Sequence, residues 1–329
     1  MTELSTQRVF FIVGPTATGK SALAADVAQR MGAEIVSADA FQLYRGLDLL
    51  TAKPGAAALA KAPHHLIGTT PILEEMNAEK FRQLAAQTLA EIRSRGKPAI
   101  VVGGSGLYIK ALTHGLAALP AIDPTLRARL NKLSLDELRA KLSELDPETA
   151  GKIDIKNRRR VVRALEICLT TGKPASAQRK QWAVEAAVLS GKTHVAKKHP
   201  RHAAEPAAPT GVFVFRERDE LYARINRRVE TMFECGVIEE VRATGAMSTT
   251  AAQMIGLGEI RQLLDGEMSI LQCVAQIQQA TRRYAKRQLT WFRREPNFRP
   301  LNLSLLSHEE AVTWISQLAK AGGVAQGND

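Results

Sequence analysis

Eight consecutive residues, Gly14-Pro15-Thr16-Ala17-Thr18-Gly19-Lys20-Ser21, fit the spacing GxxxxGK[ST]. The two glycines let the backbone wrap an anion with its N–H groups turned inward. A helix starting at the end of the loop adds the positive end of its dipole. In that arrangement Lys20 neutralises phosphate oxygens, and the Ser21 hydroxyl is placed to hold Mg²⁺. The match carries weight because an apolar strand at 9–13 precedes it and a helical pattern at 21–31 follows it.

A phosphate loop does not specify nucleotide hydrolysis. A hydrolase of this kind ends a later strand in an acid that manages Mg²⁺ and water. Here the strand at 98–102 ends in Gly103-Gly104, and the acid is Asp39, which follows the strand at 33–37. Carboxyl ends of strands line the ligand crevice of an open α/β sheet. Asp39 is therefore predicted near the phosphates and free to face an acceptor, as a general base in a group transfer. A helix-capping or turn role for Asp39 is the alternative.

Residues 8–110 alternate apolar strands with helical patterns, and the strands carry no polar relief. That predicts an α/β fold, a P-loop NTPase-like core whose parallel sheet is flanked by helices. From about residue 123 the strand signal stops, and 125–132, 135–145 and 157–169 read as helices. The expected organisation is a core at 1–120, a mostly helical insertion domain at 121–209, and a return to the core at 210–329. The return begins with a strand at 211–215 and continues with helices at 219–233, at 269–294 and after Ser307. Residues 186–210, rich in Ala, Lys, His and Pro without periodicity, read as a long loop.

The 329 residues carry a formal charge of +12. Residues 151–299 hold 27 Lys and Arg against 15 Asp and Glu, so the whole surplus lies in that segment. Such asymmetry predicts a polyanionic partner. The densest clusters, 157–163 and 285–294, set arginines at helical spacing among Gln and Thr, which suits contacts to a nucleic-acid backbone. Cys168, Cys235 and Cys273 show no CxxC spacing, arguing against structural zinc or a disulfide framework. No apolar run approaches a membrane span. These features predict a cytoplasmic protein with no membrane association.

An ordered series of motifs closely resembles the tRNA dimethylallyltransferase (tRNA isopentenyltransferase) family. After GPTATGKS come Ser37-Ala38-Asp39, Gln42, and YRGLD at 44–48, then TAKP at 51–54 and PHHL at 63–66. VGGSGLYIKAL at 102–112, RRVVRALE at 159–166, GKP at 172–174, QMIG at 253–256 and KRQLTWFR at 286–293 complete it. Residues 175–210 carry no resemblance.

The resemblance implies transfer of a dimethylallyl group from dimethylallyl diphosphate to N6 of the adenosine 3′ of a tRNA anticodon, with Mg²⁺ and without ATP hydrolysis. It implies a diphosphate held by Gly14, Pro15, Thr16, Ala17, Thr18, Gly19, Lys20 and Ser21, with Arg224 and Arg228 reaching in from a later helix. Catalytic roles fall to Asp39, Ser105, Lys20 and Thr16, and the metal to Ser21. The anticodon stem-loop would be gripped by Asp39, Ala40, Phe41, Gln42, Ser105, Arg127, Arg159, Arg160, Arg163, Lys286, Arg287, Gln288, Thr290 and Arg293, and the enzyme would be a monomer. Ser105 stands where the family usually has Thr, Ala40 where Ser is usual, and Leu50 where Gly is usual. Gly68 sits where an Asp normally follows PHHL, and Leu257-Gly258 replaces a Tyr and a basic residue. A kinase of a small hydroxylated metabolite would explain the first 110 residues but not the basic half. An RNA-binding protein with a nucleotide switch is the third reading.

Overall fold

A computed structural model describes residues 9–116, 123–177 and 211–321. The expected loop at 186–210 lies outside the described residues. Two compact units are present: residues up to Leu112 with those from His202 onward, and the stretch Thr113–Arg201.

In the first unit, six parallel strands form one sheet. They are β1 (Val9–Val13), β2 (Glu34–Ser37), β3 (His64–His65), β4 (Ala99–Gly103), β5 (Gly211–Phe215) and β6 (Phe298–Asn302), in the order β3-β2-β4-β1-β5-β6. β1 is central, in register with β4 from Val9↔Ala99 to Val13↔Gly103 and with β5 from Phe11↔Gly211. Its period of two serves two cores at once: Phe11 and Val13 face one side, Phe10 and Ile12 the other.

The face of Phe10 and Ile12 is covered by α1 (Lys20–Met31), through Leu23, Val27 and Met31, and by the C-terminal helix His308–Ala319, through Val312 and Ile315. The face of Phe11 and Val13 is covered by α3 (Ala78–Ser94), which follows the one-turn α2 (Ala56–Leu59), and by α4 (Gly106–His114). Helices from the basic half complete that cover.

Strands β3 and β6 carry no legible sequence signal. β3 has two residues, both His. β6 reads Phe-Arg-Pro-Leu-Asn, and Pro300 is tolerated because the strand lies at the sheet edge.

The second unit contains α5 (Pro124–Lys132), α6 (Leu135–Leu145), α7 (Pro147–Lys152) and α8 (Arg158–Thr171). Leu130, Leu138, Leu142, Val161 and Leu165 make its core. Asp146, 1% exposed, accepts from the Thr149 and Ser176 amides at 3.0 and 2.8 Å. Burial acts to raise the Asp146 pKa, but those bonds override it and hold the carboxyl down at about 2.

The helices following β5 are α9 (Arg218–Glu234), α10 (Val237–Arg242), α11 (Leu257–Leu264), α12 (Ile270–Phe292) and α13 (His308–Ala319). Among the described residues no helix is long and apolar enough to cross a membrane.

Candidate functional site

The phosphate loop joins the end of β1 to α1, as the spacing predicts. Its shape is held from within by Thr18 Oγ1 donating to the Pro15 carbonyl at 3.0 Å. Three later arginines tie down its outer side. Arg216 Nε donates to the Thr18 carbonyl at 2.9 Å, Arg224 Nε to the Ala17 carbonyl at 2.8 Å, and Arg228 Nη1 to the Thr16 hydroxyl at 2.7 Å. Arg224 and Arg228, both on α9, thus contact the loop itself.

Lys20 points its ammonium back at the Pro15 carbonyl, 3.0 Å away. Burial lowers its pKa to about 8; Asp39 opposes that shift and Arg228 reinforces it. Burial also lowers Arg228, again opposed by Asp39. Two desolvated cations thus face one carboxylate, which leaves an excess of positive charge suited to an anion.

Asp39 follows β2 at the carboxyl edge of the sheet, where the Ala38 amide donates to the Val102 carbonyl at 2.7 Å. Its Oδ1 accepts the Phe41 and Gln42 amides at 3.0 and 3.3 Å. The turn role is therefore present, carried by one carboxylate oxygen. Ser105 Oγ accepts the Ala40 amide at 3.0 Å, so the residue after the acid is tied to the β4–α4 turn.

Two cavities share Asp39 as a wall. One is polar, with Lys20, Ser21, Ser37, Gln42 and His64. The other joins Thr16, Arg228 and Tyr284 to an apolar lining that includes Phe41, Leu50, Met232, Met254 and Ile277. A charged end meets an apolar chamber at one carboxylate. The arrangement can hold an amphipathic anion and move a proton at the junction.

Helix α12 builds the rest of the wall, and sequence reasoning underreads it. Gln288 is 5% exposed; its Oε1 accepts the Thr16 amide at 2.9 Å, and its Nε2 donates to the Gly104 carbonyl at 2.8 Å. That corrects the expected nucleic-acid contact for Gln288, whose amide is committed at both ends. The approach is so close that a Cβ on Gly104 would lie 2.3 Å from Gln288 Nε2, and one on Gly106 2.5 Å from the Trp291 ring. The GGSG and KRQLTW motifs therefore require each other. Of the aromatic pair, Phe292 is in the core and Trp291 packs partly buried against it.

Tyr284, one turn before Gln288, is a site residue that sequence reasoning misses. It lines the chamber beside Asp39 and Arg228, and burial, then nearby Asp39, raises the pKa of its hydroxyl, with Ser105 and Gln288 opposing the shift. The signal that could find it is periodicity: Ile277, Thr281, Tyr284, Gln288 and Phe292 fall on one helical stripe.

Other expected residues sort by location. Lys286, Arg287 and Thr290 lie on the outward side of α12 and Arg293 at its C-cap, all four exposed. Gln42 is half-buried, with its amide donating to the Thr51 and Ala52 carbonyls at 3.3 and 3.0 Å. Ala40 and Phe41 are half-buried beside Asp39. In the second unit, Arg159 and Arg160 are exposed at the start of α8. Arg127 makes a two-pronged contact at 2.5 and 2.8 Å with buried Glu166, which Arg163 also reaches at 3.3 Å. Gly68 adopts φ +62° and donates its amide to the Gln42 carbonyl at 2.8 Å, a backbone that favours glycine over the acid usual there.

Comparison with known proteins agrees with this architecture. The family model described as IPP transferase matches residues 42–295. A tRNA dimethylallyltransferase of Akkermansia muciniphila is 42% identical over 89% of this chain and 93% of its own length. A tRNA dimethylallyltransferase 1 of Citrifermentans bemidjiense is 44% identical over 88% of this chain and 90% of its own. Among solved structures, a full-length tRNA isopentenylpyrophosphate transferase of Bacillus halodurans aligns with a TM-score of 0.65 at 32% identity, covering 97% of this chain and 98% of that one. A eukaryotic dimethylallyltransferase acting on tRNA shares the fold at TM-score 0.67 and 24% identity, over 91% of this chain and 74% of that one.

Proposed function

The chain belongs to the IPP transferase family, and from that premise we propose that it transfers a dimethylallyl group from dimethylallyl diphosphate to N6 of the adenosine 3′ of a tRNA anticodon. The observation that carries the reading is Asp39, set between the cationic end and the apolar lining of one chamber. A nucleotide hydrolase has no use for such a lining; an allylic diphosphate has both halves.

The diphosphate lies in the phosphate loop, with Lys20, Arg228 and the Thr16 hydroxyl taking up charge as the allylic C–O bond breaks and its electron pair leaves with the diphosphate. The N6 lone pair forms the new C–N bond, and the N6 proton passes to the Asp39 carboxylate. Ser105 fixes the turn that carries Asp39 by accepting the Ala40 amide, and Tyr284 closes the chamber beside it. The target base must leave its stack to reach this point. The exposed arginines of α12 and α8 hold the RNA backbone.

The residues present fit Mg²⁺. The Ser21 hydroxyl opens on a polar cavity beside Lys20, and it would hold the ion together with substrate phosphate oxygens and water, leaving Asp39 as the base. Bound there, Mg²⁺ supplies further neutralisation of diphosphate oxygens. On this reading the enzyme acts as a monomer in the cytoplasm.

The deciding experiment is incubation with dimethylallyl diphosphate and unmodified tRNA, and separately with ATP, followed by mass analysis of nucleosides. Prenylated adenosine is expected. Turnover of ATP with no prenylated adenosine would overturn the reading in favour of a kinase.

A further inference from the structure

Leu107, in the first turn of α4, is 58% exposed, while Tyr108, Ile109 and Ala111 on the same helix are buried. The turn is held on three sides. Its inner side is fixed by the Tyr108 ring, stacked on Phe81 at a centroid distance of 4.1 Å. Its start is fixed by Ser105, whose carbonyl accepts the Tyr108 and Ile109 amides at 2.9 and 3.0 Å and whose hydroxyl accepts the Ala40 amide at 3.0 Å. Its flank rests on α12, where Gly106 lies so near Trp291 that a Cβ would come within 2.5 Å of the ring. The turn that displays Leu107 cannot drift without breaking one of these contacts.

Single exposed leucines are ordinary on a protein surface. Leu107 differs by its position. Among the described residues it is the one exposed large hydrophobic within two positions of a site residue, Ser105. Two residues of chain span at most about 7 Å, so Leu107 stands close to the Asp39 turn that Ser105 holds. Arg287, exposed one turn before Trp291, gives the same edge a cation for a phosphate.

An adenine delivered to Asp39 vacates its place in the stack, and its two neighbours then enclose an empty step. Apolar side chains, leucine among them, wedge such steps open in nucleic acids. Resting on the prenyl-transfer reading, we propose that Leu107 is a positioning residue that enters the step left by the target adenosine and keeps the base turned out toward Asp39. Leu107 is outside the lining of both cavities that share Asp39. Its effect therefore belongs to extrusion of the base and not to use of the diphosphate.

The test uses the full chain and an anticodon stem-loop in which 2-aminopurine, which brightens when unstacked, replaces the target adenosine. The unmodified stem-loop serves for transfer. Binding to the wild-type protein should brighten the probe. In Leu107→Ala the brightening should fall to about a third or less and single-turnover transfer should slow about tenfold or more, because nothing props the step. Donor KM, the salt slope of RNA binding and Tm should stay near wild type. Leu107→Met, which keeps an apolar chain of similar volume, should restore brightening and rate to within about twofold. Undiminished brightening in Leu107→Ala overturns the wedge even if transfer is slower, since a slower rate alone would place Leu107 in packing. A loss that Leu107→Met fails to restore overturns it as well. Absence of any prenylated adenosine from the wild-type protein overturns the functional reading instead, so the two failures are distinct.

Discussion

The side-chain carbonyl of Gln288 accepts the Thr16 amide at 2.9 Å, joining the longest basic helix to the phosphate loop. The same side chain donates to the Gly104 carbonyl at 2.8 Å, so one amide bridges the loop after β1 and the turn after β4. Thr16 in turn accepts from Arg228 through its hydroxyl. Loosening Gln288 therefore loosens both diphosphate-facing groups. Gln288→Leu leaves a buried donor and a buried acceptor unpaired, at about 1–3 kcal/mol each. The expected outcome is a lower Tm and a KM for the prenyl donor raised about tenfold or more, with RNA affinity within about threefold of wild type. Steady-state kinetics with each substrate varied in turn, beside RNA binding, checks this. A loss of RNA affinity with an unchanged donor KM would return Gln288 to the RNA interface.

Asp39→Asn keeps the acceptor oxygen for the Phe41 and Gln42 amides, so the turn should survive. It removes the base. Transfer should slow by about 10²-fold or more, while RNA affinity changes little. Single-turnover rates with tRNA in excess isolate the chemical step; a rate within about threefold of wild type would remove Asp39 from proton transfer.

Lys20 predicts a pH step. Its folded pKa is lowered to about 8, chiefly by burial, so the free site loses charge as pH rises through that value. An arriving anion favours the ammonium form and raises the pKa. Pyrophosphate binding should therefore take up protons between about pH 8 and 9, with affinity falling above pH 8 and levelling below about 7. Calorimetry in buffers of different ionisation enthalpy reads the uptake directly. Lys20→Arg keeps its charge throughout and should lose this step, leaving only the titration of pyrophosphate itself.

The site is legible in the sequence where chemistry depends on local spacing. The phosphate loop and Asp39 lie at the ends of β1 and β2, whose apolar runs announce buried parallel strands. The approach of Arg224 and Arg228 follows from resemblance and has a physical counterpart in their one-turn spacing on α9. Gln288 misleads because its neighbours Lys286 and Arg287 are basic, and composition outweighs the helical stripe that turns it inward. Leu50, in the chamber wall, and Glu240, whose carboxylate accepts the Leu50 amide, are illegible for a different reason. Their contact spans 190 residues of sequence, and no period within one element encodes it. Strand β6 fails for a third: only Phe298 and Leu301 are buried, and Pro300 argues against any strand but an edge one.

The outward face of α12 yields the last prediction. Arg287 and Arg293 are exposed beside the helix face that holds Gln288. Arg287 also lies over the Tyr284 ring at 5.7 Å, so its removal touches the site wall, whereas removal of Arg293 leaves that pair intact. If both guanidiniums meet RNA phosphates, each Ala substitution should lower the slope of log affinity against log salt by about 0.7–0.9, the value for one released counterion. Donor KM should stay within about twofold for Arg293→Ala and rise modestly for Arg287→Ala. Filter binding of an anticodon stem-loop across a salt series measures the slope. An unaltered slope in Arg293→Ala would mean that this arginine is solvated surface and that the polyanion docks elsewhere on the basic half.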